Sequence, residues 1–186
     1  MNPIRNKKDL ETTIDEIRKY AYSYLEKYSA SKQQLKTYLF KKVLKKKQII
    51  FNRKELFNLI DVVISSLEDQ KLLNDKYYSD NKAKSFLRRG YSLNKIRYSL
   101  IKKGIDEKYV KSSISKIQSN ETDPDFFSAI KICKRRRIGA CREEGNRSIY
   151  YKKDIGILAR SGFSYEVSKK VLEISKEEFN KFYKLI

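Results

Sequence analysis

Leu87-Arg-Arg-Gly-Tyr-Ser-Leu-Asn-Lys-Ile-Arg-Tyr-Ser-Leu100 reads as the end of one helix, a turn, and the start of the next. Gly90 supplies the left-handed residue that closes a helix. Ser92 offers its hydroxyl to the free amides of the following one, and Tyr91 before it is placed as a staple that fixes the entry angle. Ile96 and Leu100 then fall four apart, on one face. The same Leu-x-Arg-x-Gly-aromatic-Ser order returns in Leu158-Ala-Arg-Ser-Gly-Phe-Ser164, ahead of Val167, Val171 and Leu172. Leu25-Glu-Lys-Tyr-Ser-Ala-Ser31, ahead of Leu35 and Leu39, is a looser copy without glycine. Internal similarity of this kind suggests a repeat.

Outward from these turns, apolar residues keep a helical period. Leu10, Ile14, Ile17, Ala21 and Leu25 form one stripe; Leu35, Leu39 and Val43 a second; Leu56, Ile60, Val63 and Leu67 a third; Val110, Ile114 and Ile117 a later one. None of these windows alternates as a strand would. Ser31 with Gln34, Asn52 with Glu55 and Ser175 with Glu178 fit the reciprocal capping box. Asp123-Pro124 places a capping carboxylate before a proline at the first helical position. Gly104 and Gly162 mark further helix ends. The spacing predicts helices over 9–27, 31–47, 53–70, 75–88, 92–103, 107–118, 123–137, 148–160 and 164–173, with a short tenth at 176–184. The fold class is all-α, as three tandem three-helix repeats. The expected modules are 1–71, 72–119, and 120–186 with its tail helix.

Composition narrows the chemistry. Among 186 residues, 43 Lys and Arg oppose 23 Asp and Glu, a formal charge of +20, and there is no histidine. That absence excludes Ser-His-Asp and Cys-His catalysis and every metal site that uses histidine. Two cysteines cannot complete a four-thiolate zinc site. Six glycines and two prolines disfavour loop-dominated and β-rich classes. The cationic surplus has two readings, a surface for a polyanion such as nucleic acid, or a lysine-rich composition of the kind A/T-rich coding produces. The first residues turn charged at once, with no apolar signal region. No run approaches the ~18–20 apolar residues of a membrane span. A cytosolic protein with reduced Cys133 and Cys141 is expected.

Three segments together resemble the RecX family. Leu72-Leu-Asn-Asp75-Lys-Tyr-Tyr78, Phe86-Leu-Arg-Arg-Gly-Tyr-Ser92 and Lys103-Gly-Ile-Asp106 are similar to its central module. Lys134-Arg-Arg-Arg-Ile-Gly139, with Leu158 through Val167 and Val171-Leu172, is similar to its third module, particularly in alphaproteobacterial members. The resemblance covers about residues 15–175, and its N-terminal part rests on periodicity and spacing. The linker 138–147, with Ala140, Cys141 and Glu143-Glu144, and the polar run Ile149-Tyr-Tyr-Lys-Lys-Asp154 depart from the pattern. The resemblance implies an elongated, curved molecule. It also implies a partner, the RecA recombinase filament, whose recombination and ATPase activities such proteins modulate, usually by inhibition.

The residues themselves read as a binding protein rather than an enzyme, with no cofactor and no metal. Asp75, Asp106 and Asp123 sit at expected helix starts, where free amides and the dipole stabilise a carboxylate. Cys133 and Cys141 lack a base, and no phosphate-binding glycine loop is present. Lys41, Lys42, Lys45, Lys46 and Lys47 close a helix, where cations are favoured by the dipole in any case. Arg88 and Arg89 share that explanation or serve a partner. Arg135, Arg136, Arg137 and Arg142 form an arginine cluster in a lysine-dominated chain, and the guanidinium fork suits paired contacts to carboxylate or phosphate. Arg97, Lys102 and Lys103 extend the basic residues through the middle module. Most of Tyr20, Tyr22, Tyr24, Tyr28, Tyr38, Tyr77, Tyr78, Tyr91 and Tyr98 are expected to fill thin cores. Two functions follow: a monomeric regulator lying along a recombinase filament and touching the DNA phosphate backbone, or a DNA-binding protein acting alone, sequence-independently or through a helix-turn-helix. For the helix-turn-helix, helix 92–103 offers Asn94, Arg97 and Ser99. No membrane contact is expected.

Overall fold

The computed structural model describes residues 7–45 and 53–186, with side chains from residue 14 onward. The expected Asn52 cap, the side chain of Leu10, and Lys46 and Lys47 lie outside the described residues. The described chain is all-α: α1 (Lys7–Leu25), α2 (Lys32–Leu44), α3 (Arg53–Asp69), α4 (Asp75–Arg88), α5 (Leu93–Ile101), α6 (Glu107–Asn120), α7 (Pro124–Arg136), α8 (Glu144–Arg160), α9 (Tyr165–Glu173) and α10 (Lys176–Tyr183), with a 3-10 turn at Gly139–Cys141. No strand occurs among the described residues.

Two compact units result. Met1–Tyr78 with Lys103–Ile105 forms the first, and Ser79–Lys102 with Asp106–Ile186 the second. In the first, α1, α2 and α3 turn their stripes inward, so that Ile17, Ala21, Leu35, Leu39, Leu56, Ile60 and Leu67 are buried together. Each buried Leu or Ile among them contributes about 1.5–3 kcal/mol when removed from water. Tyr24 stacks on Tyr38 against this core with ring centroids 4.3 Å apart, and Phe40, also packed on it, stacks at 4.4 Å on the exposed Phe57. In the second unit, Ile96, Leu100 and Val110 are buried along α5 and α6. A cluster built on Phe126, Ile130, Cys133, Ile138, Leu158, Val171 and Phe179 joins α7 to α10.

The tyrosines divide. Tyr78 is buried, Tyr20, Tyr24 and Tyr38 pack on the first core, and Tyr91 lies against Phe86 at 5.0 Å. Tyr22, Tyr28, Tyr77 and Tyr98 are exposed. Tyr22 and Tyr77 sit one position off the buried Ala21 and Tyr78, Tyr98 sits two positions from Ile96 and Leu100, and Tyr28 lies beyond the end of α1, displacements that helical spacing alone does not reveal.

Each unit contains a joint built from the same parts. Ser31 caps α2, its Oγ accepting from the Gln34 amide (3.2 Å) and donating to the Lys103 carbonyl (2.6 Å). The next amide, Lys32 N–H, donates to Asp75 Oδ1 at 2.8 Å. In the second unit, Ser92 caps α5, its Oγ accepting from the Lys95 amide (3.2 Å) and donating to the Ser161 carbonyl (3.0 Å). Leu93 N–H donates to Asp125 Oδ1 at 2.7 Å. Both accepting carbonyls precede a glycine with positive φ, Gly104 at +76° and Gly162 at +87°. Ser92 therefore pairs structurally with Ser31. Ser164, its likeness in sequence, only caps α9, accepting from the Val167 amide (3.2 Å).

The aspartates expected as helix caps also divide. Asp106 and Asp123 cap their own helices through the amides of Lys108 (2.9 Å) and Phe126 (3.3 Å). Asp75 is already helical and turns to Lys32; Asn74 takes the capping place, accepting from the Tyr77 amide at 2.9 Å. The helix expected at 148–160 begins at Glu144 instead, capped by Glu143 with no side-chain hydrogen bond. Gly145 and Asn146 are poor helix formers, and tertiary bonds from Arg147 override them.

Candidate functional site

The basic residues singled out from the sequence fall into three structural situations. Arg88 is the last residue of α4, and Arg89 follows it into the Gly90 turn; both are exposed. Arg136 ends α7, and Arg137 caps it in the left-handed conformation (φ +54°), its amide returning to the carbonyls of Cys133 and Lys134. These two side chains are exposed as well. Arg135 brings the two helix ends together: its guanidinium donates to the Arg89 carbonyl at 3.0 Å. The result is an edge of the second unit that carries Arg88, Arg89, Arg136 and Arg137. Among the described residues, none of these four has a carboxylate within ion-pair distance. Cations there are favoured by the C-terminal ends of two helix dipoles, and remain available to an anionic partner.

Arg97, Lys102 and Lys103 stand apart from that edge. Arg97 pairs with Glu107 at 3.3 Å across α5 and α6, half-exposed. Lys102 is exposed at the C-cap of α5. Lys103 belongs to the first unit, where its carbonyl accepts from Ser31.

Arg142 has a third situation. Its Nε and a terminal nitrogen lie 2.8 and 2.7 Å from the two oxygens of Asp154, and Asp154 also accepts from the Gly139 amide at 3.1 Å. Asp154 is 1% exposed. A buried carboxylate is tolerated only when paired and hydrogen-bonded, so this guanidinium holds the 3-10 turn onto α8. That hydrogen bond raises the Arg142 pKa further, and its cation lies 4.6 Å from the Tyr150 ring centre. Arg147 does similar work, donating to the carbonyls of Leu172 (3.0 Å) and Ile174 (2.7 Å) at the end of α9. Sequence reading missed Asp154 and Arg147. The available signal was a carboxylate at 154, one turn before Leu158 on the buried stripe of α8.

The thiols lie close to this lock. Cys133 is fully buried, and burial pushes its thiol pKa up. Burial also raises Cys141, with Lys134 and Lys176 working against it. Both are free cysteines, held as neutral thiols at physiological pH. Among the described residues no cluster of acidic, histidine or cysteine side chains could hold a metal ion, and no helix is long and apolar enough to cross a membrane.

A protein of Myxococcus xanthus (strain DK1622), named Regulatory protein RecX, is 31% identical over 158 residues, covering 82% of this chain and 82% of its own length. The chain belongs to the RecX family. A second RecX regulatory protein, from Clostridium perfringens (strain SM101 / Type A), is 27% identical over 146 residues, covering 78% of this chain and 66% of its own length. The crystal structure of RecX from Lactobacillus salivarius superposes with a TM-score of 0.59 at 19% identity, over 93% of this chain and 97% of that one, and so shares the fold. No family model matches the chain. Both relatives, from Myxococcus xanthus and Clostridium perfringens, bear the name of regulatory proteins.

Proposed function

We propose that this RecX-family chain binds the RecA recombinase filament and inhibits its ATPase and recombination activities, as a monomer in the cytosol. The observation that carries the reading is the 31% identity to a RecX regulatory protein over 82% of both chains. The arginine edge supports it chemically. Arg88, Arg89, Arg136 and Arg137 offer planar forks to carboxylates of a protein surface or to phosphates of the DNA inside a filament. Arg142 is committed to Asp154 and Arg97 to Glu107, so the proposed contact rests on the first four, with Lys102 and Lys103 secondary. The three-module division at 71/72 and 119/120 belongs to the same proposal, and the recurrence of one joint in both units supports it.

The mechanism is steric and electrostatic. A protein that bridges neighbouring recombinase subunits or fills the filament groove disfavours the active subunit geometry and blocks incoming DNA. Nothing in it requires bond chemistry from this chain. The helix-turn-helix alternative finds little support on α5: Arg97 is ion-paired, Ser99 is half-buried, and Asn94 alone is exposed.

The test measures ATPase and strand exchange by the host's own RecA, at fixed salt, with and without this protein. Inhibition at or below one regulator per recombinase is expected. Reversing Arg88, Arg89, Arg136 and Arg137 to Glu should raise the concentration needed by about tenfold or more. Direct DNA binding should be weak, indifferent to sequence and steeply salt-dependent. No effect on either activity, with tight sequence-specific duplex binding, would sink the proposal.

A further inference from the structure

The second unit carries a groove that shares Arg88 with the arginine edge and extends away from it. It begins between α4 and α6 as a depression of about 430 Å³ that includes Lys84, Leu87, Arg88 and Ile117 in its lining. It continues past Leu87, Arg88, Asn120 and Glu121 into a second depression of about 390 Å³ against α7, where Phe127, Ser128 and Lys131 line it. Its apolar lining is Leu87 and Ile117 in the first depression and Pro124, Phe127, Leu185 and Ile186 in the second. Its cations are Lys84, Arg88 and Lys131, none with an ion-pair partner among the described residues.

The acids present do not cancel these cations. Asp80 already accepts from Ser113 Oγ (2.7 Å) and pairs with Lys116, leaving Glu121 as the one acidic side chain of the lining without such a partner against three positive side chains.

We propose that this groove is a docking site for an acidic peptide segment of a partner protein, one that places an apolar side chain on the Leu87–Ile117–Phe127 surface and its carboxylates against Lys84, Arg88 and Lys131. Charge alone would also suit a phosphodiester backbone. The apolar lining decides for peptide. Phosphate and sugar have nothing to bury there, and aliphatic residues beside a single half-buried aromatic, Phe127, make no platform for stacked bases. An aliphatic or phenyl side chain flanked by carboxylates uses both features at once, in the manner of a short motif read by pockets and arginines. The inference deepens the reading of this chain as a protein-binding regulator and rests on it.

The experiment selects from a display library of random short peptides on the full chain, with counter-selection on the Lys84→Glu/Arg88→Glu variant. Enriched peptides are then synthesised and titrated by fluorescence anisotropy. The expected peptides are net negative with leucine or phenylalanine between the acids. They should lose about tenfold or more in affinity on the double variant and none on Lys152→Glu, an exposed cation on α8. Replacing one peptide acid with lysine should restore binding to Arg88→Glu, which also shows that the variant is folded. The proposal is overturned by no enrichment, by enriched peptides without acidic bias, by equal binding to the double variant, or by displacement of the peptide by a single-stranded oligonucleotide on an Arg89→Glu/Arg136→Glu/Arg137→Glu background, where the neighbouring edge no longer holds DNA. RecA does not enter this selection, so its failure leaves the ATPase result to stand or fall separately.

Discussion

The joint on Ser31 and the joint on Ser92 use one design with different reinforcement. Each has a serine that caps a helix and reaches a carbonyl before a glycine, and each has an aspartate that takes the next amide. Around Ser31 the cap is doubled: Gln34 Oε1 accepts from the Ser31 amide (3.3 Å) and from the Tyr78 hydroxyl (2.8 Å). Around Ser92 the corresponding residue is Lys95, whose ammonium lies 4.7 Å from the Tyr91 ring centre instead. The first joint thus has redundancy in hydrogen bonds. The second concentrates its geometry on one hydroxyl, and Gly162 approaches that hydroxyl closely. What persists between the two is the pairing of parts, which neither residue identity nor local sequence likeness would have matched.

The largest effect should come from putting a Cβ on either glycine. At Gly162 it would stand 2.5 Å from Ser92 Oγ and 3.3 Å from the Lys95 amide nitrogen, so the cap itself must break. At Gly104 it would stand 2.3 Å from Gln33 Cβ, and the start of α2 must move. Both positions also have φ values that cost an L-residue about 1–2 kcal/mol before any clash. Gly162→Ala should therefore cost about 3–4 kcal/mol and Gly104→Ala about 2–3, by urea unfolding. Equal values would remove the distinction drawn between the joints.

Removing the serine hydroxyls is the finer comparison. Ser92→Ala loses the cap of α5 and the bond to the Ser161 carbonyl together, and about 2 kcal/mol is expected. Ser31→Ala leaves Gln34 on the Ser31 amide and on Tyr78, so about 1 kcal/mol is expected. Hydrogen exchange at the Lys95 and Gln34 amides gives the local reading. Faster exchange at Gln34 in Ser31→Ala than at Lys95 in Ser92→Ala would reverse the ranking.

The residues explain why some of this was legible and some was not. Helix stripes and local caps are short-range features, so Ser31, Ser92, Ser175 and Asp123-Pro124 could be read directly as helix starts. The joints pair Lys32 with Asp75 and Leu93 with Asp125, separations of 43 and 32 residues that no periodicity encodes. The Gly-aromatic-Ser likeness of 90–92 and 162–164 was real as chemistry. It set a second helix beside a third helix, because a capping signature records a helix start and not its place in a module. The arginine cluster was visible as composition, but its division was not. Arg142 and Arg136 look alike in sequence until the buried Asp154, twelve residues beyond Arg142, claims one of them.

The smallest effect is the most diagnostic, because it separates the aspartates' charge from their role as acceptors. Burial raises the pKa of both Asp75 and Asp125 above the ordinary 3.8, against the opposing pull of the Lys32 and Leu93 amides. A carboxyl whose folded pKa exceeds its unfolded value binds its proton more tightly in the fold. Its contribution to stability therefore increases as pH falls through the raised value toward 3.8, and declines as pH rises through the same window. Asp125→Asn keeps an oxygen for Leu93 N–H and removes the buried charge, so at neutral pH it should be neutral or stabilising by under about 1 kcal/mol. Asp125→Ala leaves that amide unpaired and should cost about 1–2 kcal/mol. The decisive curve is the stability difference between wild type and Asp125→Asn plotted against pH. It should shift toward the wild type on acidification, and Asp75→Asn should show a displaced copy because Glu68 raises Asp75 while Lys32 lowers it. A flat difference would mean that solvent reaches these carboxylates, and that the joints are held by the serine and the glycine alone.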